Sequence, residues 1–369
     1  MRIRSAAVAS LALALIVGTA STASAQFYSQ HNLQSDGAVP ADFTDPDLVN
    51  AWGLVSSPTS PWWVSDNGTG LSTLYNGNTG MKVLINPPAG HVIVPGPPPH
   101  SAPTGVVFNG TSGFAIPGHG TARFIFSSED GLISAWSGGP TAFVVWPKPG
   151  DPASTAVYKG LAIATAGTGT FLYASDFHNG RVDVFDSSFG PVVLGAGAFT
   201  DPTLPPGYAP FGIQNIGGII YVTYALQDAD AHDDVPGEGH GFVDAFDTSG
   251  NLLRRVASRG DLNSPWGLAM APTAPLNFGK FSGDLLVGNF GDGRIHAFVP
   301  TSAGEFDDHG PLHSTHGRPI EIDGLWALQF GNGANAGPTN ALFFTAGPFE
   351  EGHGLFGRLD VAGPPGKDR

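Results

Sequence analysis

One unit recurs six times along the chain, and nothing else in the sequence constrains the fold as much. Each copy has a Gly-containing apolar step, a short apolar strand, an acidic or Asn residue with a Gly soon after, and a strand closing on an aromatic. The openings read Asn50-Ala51-Trp52-Gly53-Leu54, Pro103-Thr104-Gly105-Val106, Tyr158-Lys159-Gly160-Leu161, Pro210-Phe211-Gly212-Ile213, Pro265-Trp266-Gly267-Leu268 and Leu325-Trp326-Ala327-Leu328. From Gly53 the matching positions follow at steps of about 52, 55, 52, 55 and 60 residues. Short strands at that period predict an all-β chain: a six-bladed β-propeller of four-stranded antiparallel blades. Each unit needs its neighbours to bury its faces, so the repeats form one domain over residues 26–362, with 363–369 as a flexible tail.

The first 25 residues read differently. Arg2 and Arg4 precede an apolar run from Ala6 to Val17, and Ala23-Ser24-Ala25 supplies a small-residue cleavage pattern. This predicts a secretory signal peptide cut before Gln26, and so a secreted or periplasmic protein. No later segment is apolar and long enough to predict membrane insertion. Cysteine is absent, which excludes disulfides and thiol catalysis. Removing Arg2 and Arg4 with no acid takes the formal charge from −15 to about −17. That balance disfavours nucleic acid and anionic membranes as partners and is equally what solubility alone would require.

Within the units, Lys82 to Ile85 is expected as the outer strand of the first blade, and Asn76-Gly77 as a tight turn. The stretch Tyr28 to Gln34 is expected to supply the missing outer strand of the last blade and so close the ring, removing exposed edges. Unit four is interrupted by Asp228-Ala229-Asp230-Ala231-His232-Asp233-Asp234, and unit six by Glu350-Glu351-Gly352-His353-Gly354.

The repeat form, Pro-x-Gly-Ile/Leu followed by a Tyr-Val-Ser-Asp-like strand and an Arg-Val-x-Val-Phe strand, resembles the NHL-type six-bladed propellers. Over nearly the whole chain after residue 25, and most clearly at Asp42 to Gly53, Tyr224 to Asp247 and Thr345 to Gly357, the sequence resembles a bacterial family of exported proteins of unknown function. Some members of that family carry PEP-CTERM sorting tails. Gly363 to Arg369 lacks such a tail, which implies release. The resemblance implies a fold and a location, and no activity.

In such a ring the first strand of each blade begins at one mouth of the central channel and the second strand returns to it. Asp66, Glu129, Asp176 and Asn289, with Asn50 nearby, are therefore expected to gather oxygen ligands there, a set suited to calcium. The same residues before Asn-Gly or His-Asn-Gly are also what a tight turn needs. The acids Asp228, Asp230, Asp233 and Asp234, followed by Glu238, repel one another unless a cation neutralises them or the loop stays solvated, and calcium is the candidate ion. His178, His232, His240 and His353 fall in second-to-third-strand loops. His178 is the candidate general base, and His232 and His353 are candidate ligand contacts. His309, His313 and His316 form a second group among Gly and Pro, where spacing carries little weight. Trp52, Phe211, Trp266 and Trp326 recur at one position, either as a stacking platform for a ligand or as packing between blades.

Two readings follow. In the first, a monomeric binding module presents a small molecule, glycan or protein site at the channel face. In the second, a resemblance to lactonase-type six-bladed propellers implies a hydrolase whose channel calcium, held by Asp66, Glu129, Asp176 and Asn289, polarises an ester carbonyl while His178 activates water.

Overall fold

The protein is described by a computed structural model covering residues 26–167 and 169–363; the expected signal peptide and most of the expected tail lie outside the described residues. Six sheets are arranged as blades around one axis. Blade one comprises Ala51–Val55, Trp62–Asp66, Leu71–Tyr75 and His91–Ile93, and blade two comprises Pro103–Phe108, Phe124–Ser128, Ile133–Trp136 and Phe143–Trp146. Blade three has Tyr158–Ala166, Gly169–Asp176 and Arg181–Phe185. Blade four comprises Tyr208–Ile216, Ile219–Leu226, Phe242–Phe246 and Leu252–Ser258, and blade five comprises Pro265–Met270, Leu285–Asn289, Ile295–Pro300 and Phe306–Pro311. Blade six runs Leu325–Phe330, Leu342–Ala346, Leu355–Ala362, and takes Phe27–Ser35 as its fourth strand.

That last pairing closes the ring as the sequence predicts. Phe27 lies opposite Ala362 and Ser35 opposite Leu355 in antiparallel register. Tyr28 is fully buried, and its hydroxyl donates to the Phe278 carbonyl at 2.9 Å, which ties the closing strand to blade five.

Two outer strands differ from expectation. In blade one the fourth strand is His91–Ile93, paired with Leu71–Thr73. Lys82 to Ile85 makes only a bridge from Lys82 to Tyr75 and a Val83 amide bond to the Leu74 carbonyl. The chain then turns away through Asn86, at φ 54°, into Pro87-Pro88, where no amide is available to extend a ladder. In blade three the fourth strand shrinks to one bridge between Phe185 and Pro191.

The first strands approach one another closely around the axis, and this is why glycine follows the opening residue in five copies. A Cβ on Gly212 would lie 2.2 Å from the Trp266 carbonyl oxygen, and one on Gly53 would lie 2.4 Å from that of Thr104. Only a residue without a side chain permits that contact. No helix of the described residues is long and apolar enough to cross a membrane.

Candidate functional site

Strand register sorts the residues at the channel mouth into two sets. Two residues before each glycine position, the first strand pairs with the second at corresponding places: Ala51 with Asp66, Pro103 with Ser128, Tyr158 with Asp176, Pro210 with Tyr224, Pro265 with Asn289 and Leu325 with Ala346. The equivalent of Asp66 in blade two is therefore Ser128, and Glu129 stands one residue later. Because strand side chains alternate, a one-residue step changes the face. Glu129 belongs with Asn67, Phe177, Ala225, Phe290 and Gly347, each one residue beyond those positions.

The earlier position is an interior one. Asp66, Asp176 and Asn289 are wholly buried within their own blades. Asp66 accepts from the Thr73 amide at 2.9 Å, and burial drives its carboxyl well above the usual carboxylate range. Asp176 accepts from the Val157 and Asn179 amides and from the Asn179 side chain at 2.7 Å, and burial raises it too. Asn289 donates to the Asp261 carbonyl at 2.8 Å. These three are held inside the sheets and their connections, and among the described residues no group with metal-ligand spacing includes Asp66 or Asp176, so the expected four-residue set is not gathered at one point.

The later position, together with the residue before each opening glycine, lines the axis. The first-strand column is Trp52, Thr104, Lys159, Phe211, Trp266 and Trp326. Trp52 stacks on Trp326 with centroids 3.5 Å apart, Phe290 stacks on the same ring at 4.0 Å, and Trp266 meets both tryptophans edge-on. Trp52, Trp326, Phe211 and Phe177 are buried. The aromatics therefore pack as a plug across the channel, with Trp266 and Phe290 partly exposed at its edge.

A polar network lies over this plug. Lys159 is 2 % exposed. Its Nζ donates to Glu129 Oε1 and, at 2.9 Å, to Asp233 Oδ1. Asn67 Nδ2 donates to Glu129 Oε2 at 2.9 Å. Asn50 Nδ2 donates to Asn67 Oδ1 at 3.2 Å and to Glu351 Oε2 at 2.6 Å, while Asn50 Oδ1 accepts from Trp326 Nε1 at 3.1 Å. Burial pushes the Lys159 ammonium down, but the charges of Glu129 and Asp233 outweigh it and hold its pKa above the ordinary value. Burial likewise pushes Asp233 up, yet Lys159 and then His232 hold it below the usual range. Glu351, with no such cation in direct contact, is raised by burial.

The acidic insertion does not act as one cluster. Asp228 caps its own turn, accepting from the His232 amide at 2.9 Å. Asp230 is exposed. Asp233 reaches Lys159, and Asp234 is half-buried toward Ser264, its carboxyl raised by desolvation. The insertion is thus a strap folded back over the mouth, turned at Ala231 with φ 53°. His178 sits under it, its Nδ1 3.3 Å from the Ala231 carbonyl oxygen. His232 Nδ1 lies 3.0 Å from Asp233 Oδ1. His353 instead pairs with Asp36 at 2.6 Å and His240 with the Val235 carbonyl, so the four histidines do not share a site.

Among the described residues, one group of side chains has the spacing for a metal ion: Glu129, His232 and Asp233 have ligand atoms within 4.8 Å of one another. Their fit to calcium is poor. Glu129 and Asp233 already neutralise an ammonium, and the amide oxygens of Asn67 and Asn50 are taken by Asn50 and Trp326. Calcium requires six to eight oxygens.

Beside the network, on the same face, the connection from blade two to blade three encloses a cleft of about 530 Å³ lined by Trp146, Lys148, Tyr158, Arg181 and Asp183 among others. Lys159 and the cleft were missed because the column it occupies is aromatic in four of six copies. A charged residue at that position was the available signal.

No protein-family model matches the chain. Among curated proteins it is similar to two from Acanthamoeba polyphaga mimivirus. Uncharacterized protein R648 is 33 % identical over 339 residues, spanning 89 % of this chain and 78 % of the relative. Uncharacterized protein L690 is 33 % identical over 345 residues, spanning 89 % and 84 %. Among solved structures, virginiamycin B lyase from Staphylococcus aureus superposes with a TM-score of 0.50 at 12 % identity, covering 92 % of this chain and all of that one. A protein of unknown function from Bacteroides thetaiotaomicron superposes with a TM-score of 0.53 at 10 % identity, covering 92 % and 76 %. At such identities the likeness is one of fold.

Proposed function

The chain belongs to the family of the mimivirus proteins R648 and L690, and from that premise we propose that it is an exported, monomeric binding module whose ligand docks on the mouth face of the propeller. The observation that carries this reading is a run of left-handed backbone on that face. Phe349, Glu350 and Glu351 are three consecutive non-glycine residues in the left-handed region, at φ 57°, 53° and 62°. Asn50 at 47° and Ala231 at 53° join them on the same face. Each such residue costs on the order of 1 kcal/mol, and strain of that kind is kept where it positions a functional group. Here it aims Glu351, Asn50 and the strap at one network.

The plugged axis leaves the ligand to lie on the face. The cleft beside Tyr158 has the volume of a small-molecule site, and Trp146 with Arg181, Lys148 and Asp183 suits a polar, hydroxylated ligand such as a glycan. Calcium is not required to hold the mouth together, because Lys159 already supplies a cation.

A glycan array followed by calorimetric titration tests the reading. Trp146→Ala and Arg181→Ala should each weaken binding about tenfold or more. Wild-type protein that captures nothing, or binding unchanged in both variants, would overturn it. The His232–Asp233 contact favours a second reading, an ester or lactone hydrolase in which His232 acts as base. Hydrolysis that is lost in His232→Gln but kept in His178→Gln would support that reading instead.

A further inference from the structure

We infer that Lys159 is the resident cation of the channel mouth, standing where a divalent ion would otherwise bind, so that the site operates without a metal. The inference rests on the mouth being the functional face, and not on which ligand docks there.

The geometry points to this from three directions. First, the ammonium occupies the centre of the acidic group: it donates to Glu129 and Asp233, two of the three side chains with metal-ligand spacing. A divalent ion shared by those same carboxylates would sit within a few ångströms of Nζ, and like charges that close in a half-buried site repel strongly. Second, Lys159 is held in place by packing as well as by charge. Its Nζ lies 5.4 Å from the Trp52 ring centroid and 5.9 Å from that of Phe177, and its carbonyl accepts from Trp266 Nε1 at 2.9 Å. A cation on aromatic faces with its stem in the plug does not swing aside to admit an ion. Third, the surplus negative charge is solvated. Glu129 and Asp233 supply two negative charges against one positive, and Asp233 lies on the solvent side, with 65 % of its side chain exposed. Water can serve the surplus without a second cation.

Removing the ammonium should therefore create a metal site where none operates. Lys159→Met keeps the length of the stem and removes the charge. In chelator this variant should melt well below wild type, because two carboxylates lose their counter-ion. Calcium or manganese should then raise its melting temperature by about 5 °C or more, whereas wild type should shift by about 1 °C or less. The double variant Glu129→Gln with Lys159→Met should recover stability in chelator and lose the metal response. A folded Lys159→Met with no metal response, or a wild type stabilised as strongly as the variant, would overturn the inference. Should Lys159→Met not fold, the metal content of purified wild type decides: a stoichiometric divalent ion that is lost in Glu129→Gln overturns it, and metal-free protein upholds it. A protein that binds no ligand yet shows the switch would sink the binding reading alone. Ligand binding by a wild type that carries a metal at Glu129 would sink this inference alone.

Discussion

Asp176 and Phe177 are neighbours in the chain, yet they belong to different parts of the molecule. The first points into its blade and satisfies the amides of a turn; the second points at the axis and helps to plug it. The same division separates Asp66 from Asn67 and Ser128 from Glu129. Positions of the first kind keep a small polar residue in four blades, as Asp66, Ser128, Asp176 and Asn289, and depart from it only at Tyr224 and Ala346, the two blades whose next connection carries an acidic insertion. Positions of the second kind vary as Asn, Glu, Phe, Ala, Phe and Gly, because they meet at one place and must differ to fit together. In a ring of similar units, what is repeated is architecture. What departs from the repeat at a convergent position is the candidate site.

Substitutions on either side of that division should behave differently. The largest effect should come from the axis. Lys159→Ala leaves Glu129 without its buried partner and should cost about 3 kcal/mol or more in denaturant unfolding; a loss below about 1 kcal/mol would show that the network is not what orders the mouth. Asn67→Ala removes bonds to Glu129 and Asn50 and should cost about 1–2 kcal/mol, with Trp fluorescence changing as the plug loosens.

On the interior side, Asp66→Asn should change stability by about 1 kcal/mol or less at neutral pH while altering its pH dependence. The folded pKa of Asp66 lies above the unfolded one, so the folded state holds the proton more tightly. Stability therefore falls as pH rises from the usual carboxylate range through the folded value. Unfolding free energies measured between pH 4 and 8 should show a flatter profile for the variant; an unchanged profile would mean Asp66 does not titrate across that range. The smallest effect should be that of Asp233→Asn, below about 1 kcal/mol because the group is largely exposed. Its folded pKa is lowered, so what it contributes is present above the usual carboxylate range and fades as pH falls through the folded value. Limited proteolysis at pH 3 and pH 7 should find the strap more readily cut at the lower pH in wild type and equally cut at both in the variant.

Much of this was legible in the sequence, though unevenly. The glycine present in five of the six openings marks the close approach of the first strands, and the spacing of the openings counts the blades. The closing strand was legible because Tyr28 to Gln34 had no partner in the first unit. The site was harder to read for specific reasons. Glu129 follows Ser128, so matching acid to acid along the repeat shifts it by one residue and onto the wrong face. Lys159 sits among tryptophans and a phenylalanine and looks like an irregular core residue until its partners are known. Asp233 reaches it only because the strap reverses at Ala231, a left-handed turn that no local preference announces. The acidic run suggested a single ion; the fold instead sends each of its carboxylates to a different task.

The closing strand also governs when the molecule can be finished. Phe27 and Ala362 pair across almost the whole length of the chain, and such contacts form last and slowly. During synthesis five sheets can assemble as their strands emerge, but the sixth waits for residues 355–362 to leave the ribosome. Until then Phe27–Ser35 has only the two-residue pairing with Phe43–Thr44, and the growing chain remains an open arc. Completion of the circle thus reports that residues 355–362 have been made.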